Sequence, residues 1–333
     1  MKVKESVFGS KPERRLYMSL ESIWKSKYNI YHNLPYTNII DISDAKIYEY
    51  SDAAKTKIVF RDLTEEEKGY LYKTSVDFTL CEKGTDKPLL SIEFDGLGYG
   101  FSHDDEYVEV YPSRDPKRKV KLDTKLRLAN TLCFPFVVVS YDEHKYLGGG
   151  FKFTILDGII GKLLADRQFR LRFEAQKQGF EQEIKSMDFT SKSEEQDYID
   201  DWIMGLETEA ELENDIIDRE ATTLETKIGR LVHKWTMSVE GFEEPPAPVL
   251  KGLYDTDTLK RRIEHYNNPE VKIGCKVTFQ CKSGNVNYKD VSAEVLIRNF
   301  GMAAVSVAQN IARLLAASKA LELWSSQKGS LVQ

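Results

Sequence analysis

Asp77 and Glu93 are the residues on which chemistry can be built. Each lies in a short segment alternating apolar and polar side chains, Ser75-Val-Asp-Phe-Thr-Leu-Cys81 and Leu90-Ser-Ile-Glu-Phe-Asp95. Period-two alternation gives each segment one apolar and one polar face, as strands require. The connection Glu82-Lys-Gly-Thr-Asp-Lys-Pro88 is rich in turn residues, so a hairpin is expected. A turn centred on Thr85 sets Asp77 opposite Glu93 on the polar face, with Asp95 further along it. Opposed like charges destabilise a strand pair unless something neutralises them. A hard divalent cation such as Mg²⁺ does so, because it takes one or two carboxylates together with water and phosphate oxygens. Two solvated carboxylates on an exposed sheet face are the alternative on spacing alone.

A basic helix strengthens the first reading. Asp115-Pro116 is expected to cap a helix, and Leu122, Leu126, Ala129 and Cys133 form its buried stripe. Arg118, Lys121 and Lys125 then fall within roughly 60° of one another, bordering the buried face. A Lys there can reach the carboxylates and hold an attacking water or a scissile phosphate; the bland alternative is a Lys whose stem lies along the helix with its ammonium in water. Arg114, Lys117, Arg118 and Lys121 are the nearest candidates for phosphate contacts that position a nucleic acid without reading its sequence.

The elements that must position these groups follow from the rest of the chain. Ser10-Lys-Pro-Glu13 is a capping box opening a helix expected to reach about Lys27, with Leu16, Leu20, Ile23 and Trp24 on its apolar face. Short β-like pieces are expected at Asn38–Ile42, Ile47–Tyr50 and Ile58–Phe60, followed by a charged bridge, Glu65 to Lys68. Phe134–Tyr141 is nearly all apolar and reads as a strand at the centre of a sheet. Gly148-Gly149-Gly150 reads as a flexible joint. Beyond it the pattern turns helical, with a second capping box expected at Ser193-Glu-Glu-Gln196 and an acidic run from Glu207 to Glu225 read as a solvated helix face. Glu244-Pro-Pro-Ala-Pro248 is a stiff linker. A strand pair around Gly284 and an apolar helix from about Met302 to Trp324 follow, and that helix needs cover from the core or from another chain, a homodimer or a partner subunit. The expected division is 1–150, an acidic helical region 151–243, and an α+β part 249–333.

Composition narrows the class without deciding it. The chain has 333 residues and a net charge of −6. Residues 1–150 carry −1, residues 151–240 carry −8 and the remainder +3, so the acid belongs to the middle and does not exclude nucleic acid as a partner of the first part. No stretch approaches the roughly 20 apolar residues a membrane-spanning helix needs. The first residues lack the apolar core of a secretory signal, which makes a cytoplasmic location the expectation. Cys81, Cys133, Cys275 and Cys281 include no C-x-x-C pair, and His144 and His233 have no partner at ligand spacing. Gly96-Leu-Gly-Tyr-Gly100 lacks the spacing of a phosphate-cradling loop.

In order, the motifs are a helix bearing Glu13, Val-Asp77-Phe, Ile-Glu93-Phe-Asp95-Gly96, Ser-His103, Arg114-Asp115, and a Lys-bearing helix running into Phe-Pro-Phe-Val-Val-Val. Over about residues 10–145 this resembles the PD-(D/E)XK nuclease superfamily, and within it the very-short-patch-repair-endonuclease-like group. The resemblance implies an α/β fold with an α-β-β-β-α-β restriction-endonuclease-like core and mixed sheet. It implies Asp77 and Glu93 as metal ligands, Asp95 at the position where E-x-K members carry Lys, and Lys125 as that Lys moved to the following helix. Glu13 matches an accessory helix-one acid, although the capping box already explains it, and His103 resembles the family's His after D-G with Leu97 to Phe101 intervening. The pattern departs from the family in having no Lys at position 95, and in Asp123 standing two residues before Lys125 instead of three.

The expected function is a Mg²⁺- or Mn²⁺-dependent DNA endonuclease acting on duplex DNA, in restriction, repair or anti-phage defence by family analogy. One alternative is a catalytically inactive nuclease fold that binds nucleic acid or protein. Another, motivated by the acidic middle and the apolar C-terminal helix, is an interaction protein with no nucleic-acid role.

Overall fold

The Ser10 hydroxyl accepts from Glu13 N at 3.2 Å and the Glu13 carboxylate accepts from Ser10 N at 3.2 Å, the reciprocal pair that starts a helix. This helix, α1, spans Lys11–Trp24. The computed structural model describes residues 8–51, 58–98, 111, 113, 115–140, 143–231, 234–240, 270–280, 288–298 and 302–330. Along them follow β1 Tyr28–Pro35, a 3₁₀ turn Tyr36–Asn38, β2 Lys46–Tyr50, β3 Ile58–Asp62, α2 Glu65–Leu71, β4 Ser75–Glu82, β5 Pro88–Phe94, α3 Arg118–Thr131 and β6 Phe136–Val139. The second half holds β7 Tyr146–Gly148, β8 Phe151–Thr154, α4 Ile155–Ser186, α5 Lys192–Asn214, α6 Ile216–Leu231, β9 Lys234–Glu240, β10 Glu270–Gln280, β11 Tyr288–Arg298 and α7 Met302–Ser330. The chain is thus a mixed α/β protein.

A four-stranded mixed sheet, order β1-β4-β5-β6, carries the first half. β1 and β5 each pair antiparallel with β4, and β6 runs parallel to β5, reached through α3. The hairpin register is the expected one: Phe78 faces Ile92, Thr79 faces Ser91 and Leu80 faces Leu90, with an irregularity after Leu80. Alternation sorts the two faces. Phe78, Leu80, Leu90, Ile92, Val137 and Val139 pack with Leu16, Leu20 and Trp24 of α1 and with Ile159, Ile160 and Leu163 of α4. Phe136 and Val138 join Leu122, Leu126 and Ala129 of α3 on the other face. Each such large apolar side chain contributes about 1.5–3 kcal/mol by leaving water.

The apolar cluster on the first face continues through α4 and α6 into α7 and β11. The apolar side of α7, including Val307, Ile311, Leu314 and Ala317, is therefore covered within the chain. Trp24 Nε1 donates to Asp157 Oδ1 at 2.8 Å, tying α1 to the first turn of α4. A second sheet, order β11-β10-β9, packs on α7, and its β10–β11 pair, antiparallel from Glu270↔Arg298 to Gln280↔Tyr288, is the strand pair the sequence suggests.

Several local expectations are corrected. β1 replaces a segment without clean alternation; it becomes a strand because β4 offers it a pairing edge, whereas Asn38–Ile42 is not a strand. Glu65–Lys68 is helical, since Thr64 and Glu67 form a capping box. The Asp115 carboxylate accepts from Lys117 N at 2.9 Å in a turn, and α3 starts three residues after Asp115 with no side-chain cap. β6 lies at the end of the strand order, not its centre, yet both its faces are buried because helices cover each. Gly148, Gly149 and Gly150 all have positive φ and form the tight turn between β7 and β8, which explains glycine there. The α5 cap is Ser191, whose hydroxyl accepts from Glu194 N, not Ser193. The acidic run keeps Glu207, Glu209 and Glu213 exposed, as a solvated face should, but part of it is paired: Glu211 with Lys162, Glu213 with Arg172, and Asp218 and Glu225 with Arg313. The Pro-rich linker lies outside the described residues.

Candidate functional site

Asp77 and Glu93 continue the hairpin register by one position, on the face that α3 covers. The Asp77 Oδ2 accepts from Phe94 N at 2.7 Å, which holds its carboxylate against β5. Burial, and then the Glu93 charge, push Asp77 up to about 7, with Glu13 adding to the rise and Lys125 opposing it. The opposed Glu93 charge thus adds to the rise that burial imposes on Asp77.

Lys125 enters from α3 with 3% of its side chain exposed. Its Nζ donates to Glu93 Oε1 at 3.1 Å and to Ser75 O at 2.9 Å. Tyr36, fully buried, donates its hydroxyl to Lys125 O at 3.0 Å and fixes the helix turn that carries the ammonium. Sequence reasoning missed Tyr36 and Ser75, because one acts through a ring far away in sequence and the other through a backbone carbonyl; neither leaves a periodic signal. The remaining Glu93 oxygen, Oε2, is buried with no hydrogen-bond partner among the described residues.

Asp95 is fully buried at the end of β5 and forms an ion pair with Arg118 Nη2, two helical turns before Lys125. Its Oδ1 also accepts from Leu97 N at 3.0 Å. Because α3 runs antiparallel to β5, Lys125 meets Glu93 and Arg118 meets Asp95 in matching order. Arg118 is therefore turned into the site. Lys121 and Lys117 stay at the surface, bound to Asp115 at 2.7 Å and to Glu66 at 2.8 Å. Glu13 holds His32 Nε2 at 2.7 Å with one oxygen, while the other caps α1. Arg114 and His103 lie outside the described residues.

Asp77, Glu93 and Lys125 are thus brought together, Asp95 and Arg118 adjoin them, and Glu13 acts on Asp77 through its charge. Among the described residues, no three His, Cys, Asp or Glu side chains gather into a metal-holding group. No helix among them is long and apolar enough to cross a membrane. The chain matches no protein-family model, no curated protein and no solved structure.

Proposed function

We propose that this chain is a metal-dependent nuclease acting on DNA, with Asp77, Glu93 and Lys125 as its reacting groups. The observation that carries the reading is a buried Lys125 ammonium 3.1 Å from Glu93, beside a second half-buried acid, Asp77, whose pKa is driven upward. The order α1, β1, β4, β5, α3, β6 supports a restriction-endonuclease-like α-β-β-β-α-β core, into which β2, β3 and α2 are inserted.

Asp77 and Glu93 fit a hard cation, Mg²⁺ or Mn²⁺. Glu93 Oε2 is buried without a partner, and the two carboxylates repel each other unless one is protonated or a positive charge is placed between them. When bound there, such a cation lowers the pKa of water and offsets the charge that develops on a phosphodiester. Lys125 uses two of its three N–H donors on Ser75 O and Glu93, leaving the third for a phosphate oxygen or an attacking water. The Asp95–Arg118 pair fixes the start of α3 relative to the end of β5 and so sets where Lys125 points. Lys117 and Lys121 lie outward, where the phosphates of an approaching DNA strand arrive.

The reading is tested by incubating the protein with plasmid DNA and Mg²⁺. Nicking or linearisation that is abolished by chelator and reduced at least 100-fold in Asp77→Ala, Glu93→Ala and Lys125→Ala proteins is expected. Cleavage that persists unchanged in those proteins overturns the site.

A second reading is an inactive nuclease-like fold that binds nucleic acid or protein. What favours it is Asp95, which stands where E-x-K members carry Lys and is closed off by Arg118. It predicts binding indifferent to Mg²⁺ and to Lys125→Ala.

A further inference from the structure

We propose that a cleft of about 530 Å³ between α2 and the start of α3 takes one nucleotide of a single DNA strand, its phosphate among Lys73, Lys117 and Lys121 and its base against Tyr70. The inference deepens the nuclease reading, because Thr74 of the cleft precedes Ser75, whose carbonyl holds Lys125, but its binding chemistry stands without cleavage.

The cleft has the two components that nucleic-acid strands require, cations and an aromatic face. Glu66, Gly69, Tyr70, Lys73 and Thr74 line one wall, and Lys117 and Lys121 the other. Three ammonium groups thus face one carboxylate. Glu66 and Tyr70 share a side of α2 because they are four residues apart, and Lys73 follows in the turn after that helix. The Lys117 and Lys121 ammoniums lie 5.5 and 5.8 Å from the centre of the Tyr70 ring, so ring and cations address the same space. At Gly69 an added Cβ would meet nothing within 4 Å, so its missing side chain leaves room beside that ring.

Existing contacts within the cleft are exchangeable. Lys117 pairs with Glu66 and Lys121 with Asp115, and in each pair both side chains are more than a third exposed. Such pairs hold weakly in water, and a phosphate offers each ammonium more acceptor oxygens than the carboxylate it replaces. Tyr70 also donates its hydroxyl to Glu66, leaving this one carboxylate to hold both ring and ammonium in place.

Two chain neighbours link the cleft to the candidate site. Thr74 lines the cleft, and the carbonyl of the next residue, Ser75, accepts from Lys125. Lys121 precedes Lys125 by about one turn of α3, about 6 Å along the axis. A strand with one phosphate at Lys121 therefore brings a neighbouring phosphate toward Lys125 and Glu93. A base lying on Tyr70 must be unpaired, so the strand in the cleft is single.

The test is fluorescence anisotropy with a short labelled oligothymidylate in excess chelator, so that no cleavage contributes. Tyr70→Ala is expected to weaken binding about tenfold. Gly69→Phe fills the cleft and is expected to weaken it similarly, with an unchanged circular dichroism spectrum. Glu66→Gln is expected to strengthen binding, because it releases Lys117. Binding unchanged in both Tyr70→Ala and Gly69→Phe proteins overturns the proposal. Displacement of the oligonucleotide by equal concentrations of thymidine monophosphate overturns the strand assignment and leaves a site for a free nucleotide. Loss of this binding alongside Asp77-dependent plasmid cleavage removes only the cleft, whereas cleft-dependent binding without such cleavage removes only the nuclease reading.

Discussion

Lys125 Nζ lies 3.1 Å from Glu93 Oε1, an ammonium from the centre of α3 held against a carboxylate near the end of β5. With 3% of the Lys side chain and 17% of the Glu side chain exposed, neither charge is well hydrated, and each depends on the other. Removing one partner of such a pair costs about 3–5 kcal/mol, whereas replacing both by neutral groups of similar shape costs far less. Lys125→Met is therefore expected to lower the thermal midpoint strongly, and Lys125→Met with Glu93→Gln to recover most of it. Plasmid cleavage is expected to stay lost in both proteins, which separates the chemical role from the structural one. Equal destabilisation of the single and double variants would contradict the pairing.

Asp77 makes stability depend on pH. Its folded pKa, about 7, lies above its ordinary value of 3.8. A carboxyl raised in this way contributes stability fully below its unfolded pKa and loses it as pH rises through the folded value. Chelator-treated protein is expected to become less stable from about pH 4 to pH 7, by on the order of 3 kcal/mol from this group. Asp77→Asn is expected to flatten that dependence and to raise stability at pH 8. Urea unfolding at several pH values reads both, and an unchanged slope in the variant would remove Asp77 as the source.

Asp95 has no exposure and relies on Arg118 for its ion pair. Arg118→Ala is expected to destabilise by about 3 kcal/mol, because it takes the guanidinium away from a buried carboxylate. Arg118→Ala with Asp95→Asn is expected to restore stability while leaving α3 less firmly placed. The readout is hydrogen exchange at Arg118–Lys121, which should quicken in the double variant if the pair positions the helix.

Gly161 allows α4 to approach the α5–α6 junction. An added Cβ would sit 2.8 Å from Asn214 O, a backbone atom that cannot swing away. Gly161→Ala is expected to cost about 1–3 kcal/mol despite the higher helix propensity of Ala. At Gly179, on the same helix, a Cβ meets nothing, so Gly179→Ala is expected to stabilise by a few tenths to about 1 kcal/mol. Thermal melts of the two variants, read side by side, check the contrast.

The sequence by itself determined what short-range rules govern. The Ser10–Glu13 capping box, the β4–β5 hairpin with its register, the helical run of α4 to α6 and the β10–β11 pairing are all set by neighbouring residues and by a period of two or 3.6. It also marked Asp77, Glu93, Asp95 and Lys125, because register and helical phase place them on facing surfaces. Tertiary structure alone decided the rest. β1 is a strand because β4 pairs with it, the α7 apolar face is covered by α4, α6 and the second sheet, and Arg118 turns inward because Asp95 is buried opposite. Tyr36 and Ser75 steady Lys125 through backbone atoms whose positions depend on how three separate segments meet. Local propensity is a sum over adjacent residues, whereas these contacts join groups tens of residues apart, and only chain packing brings such groups within hydrogen-bond reach.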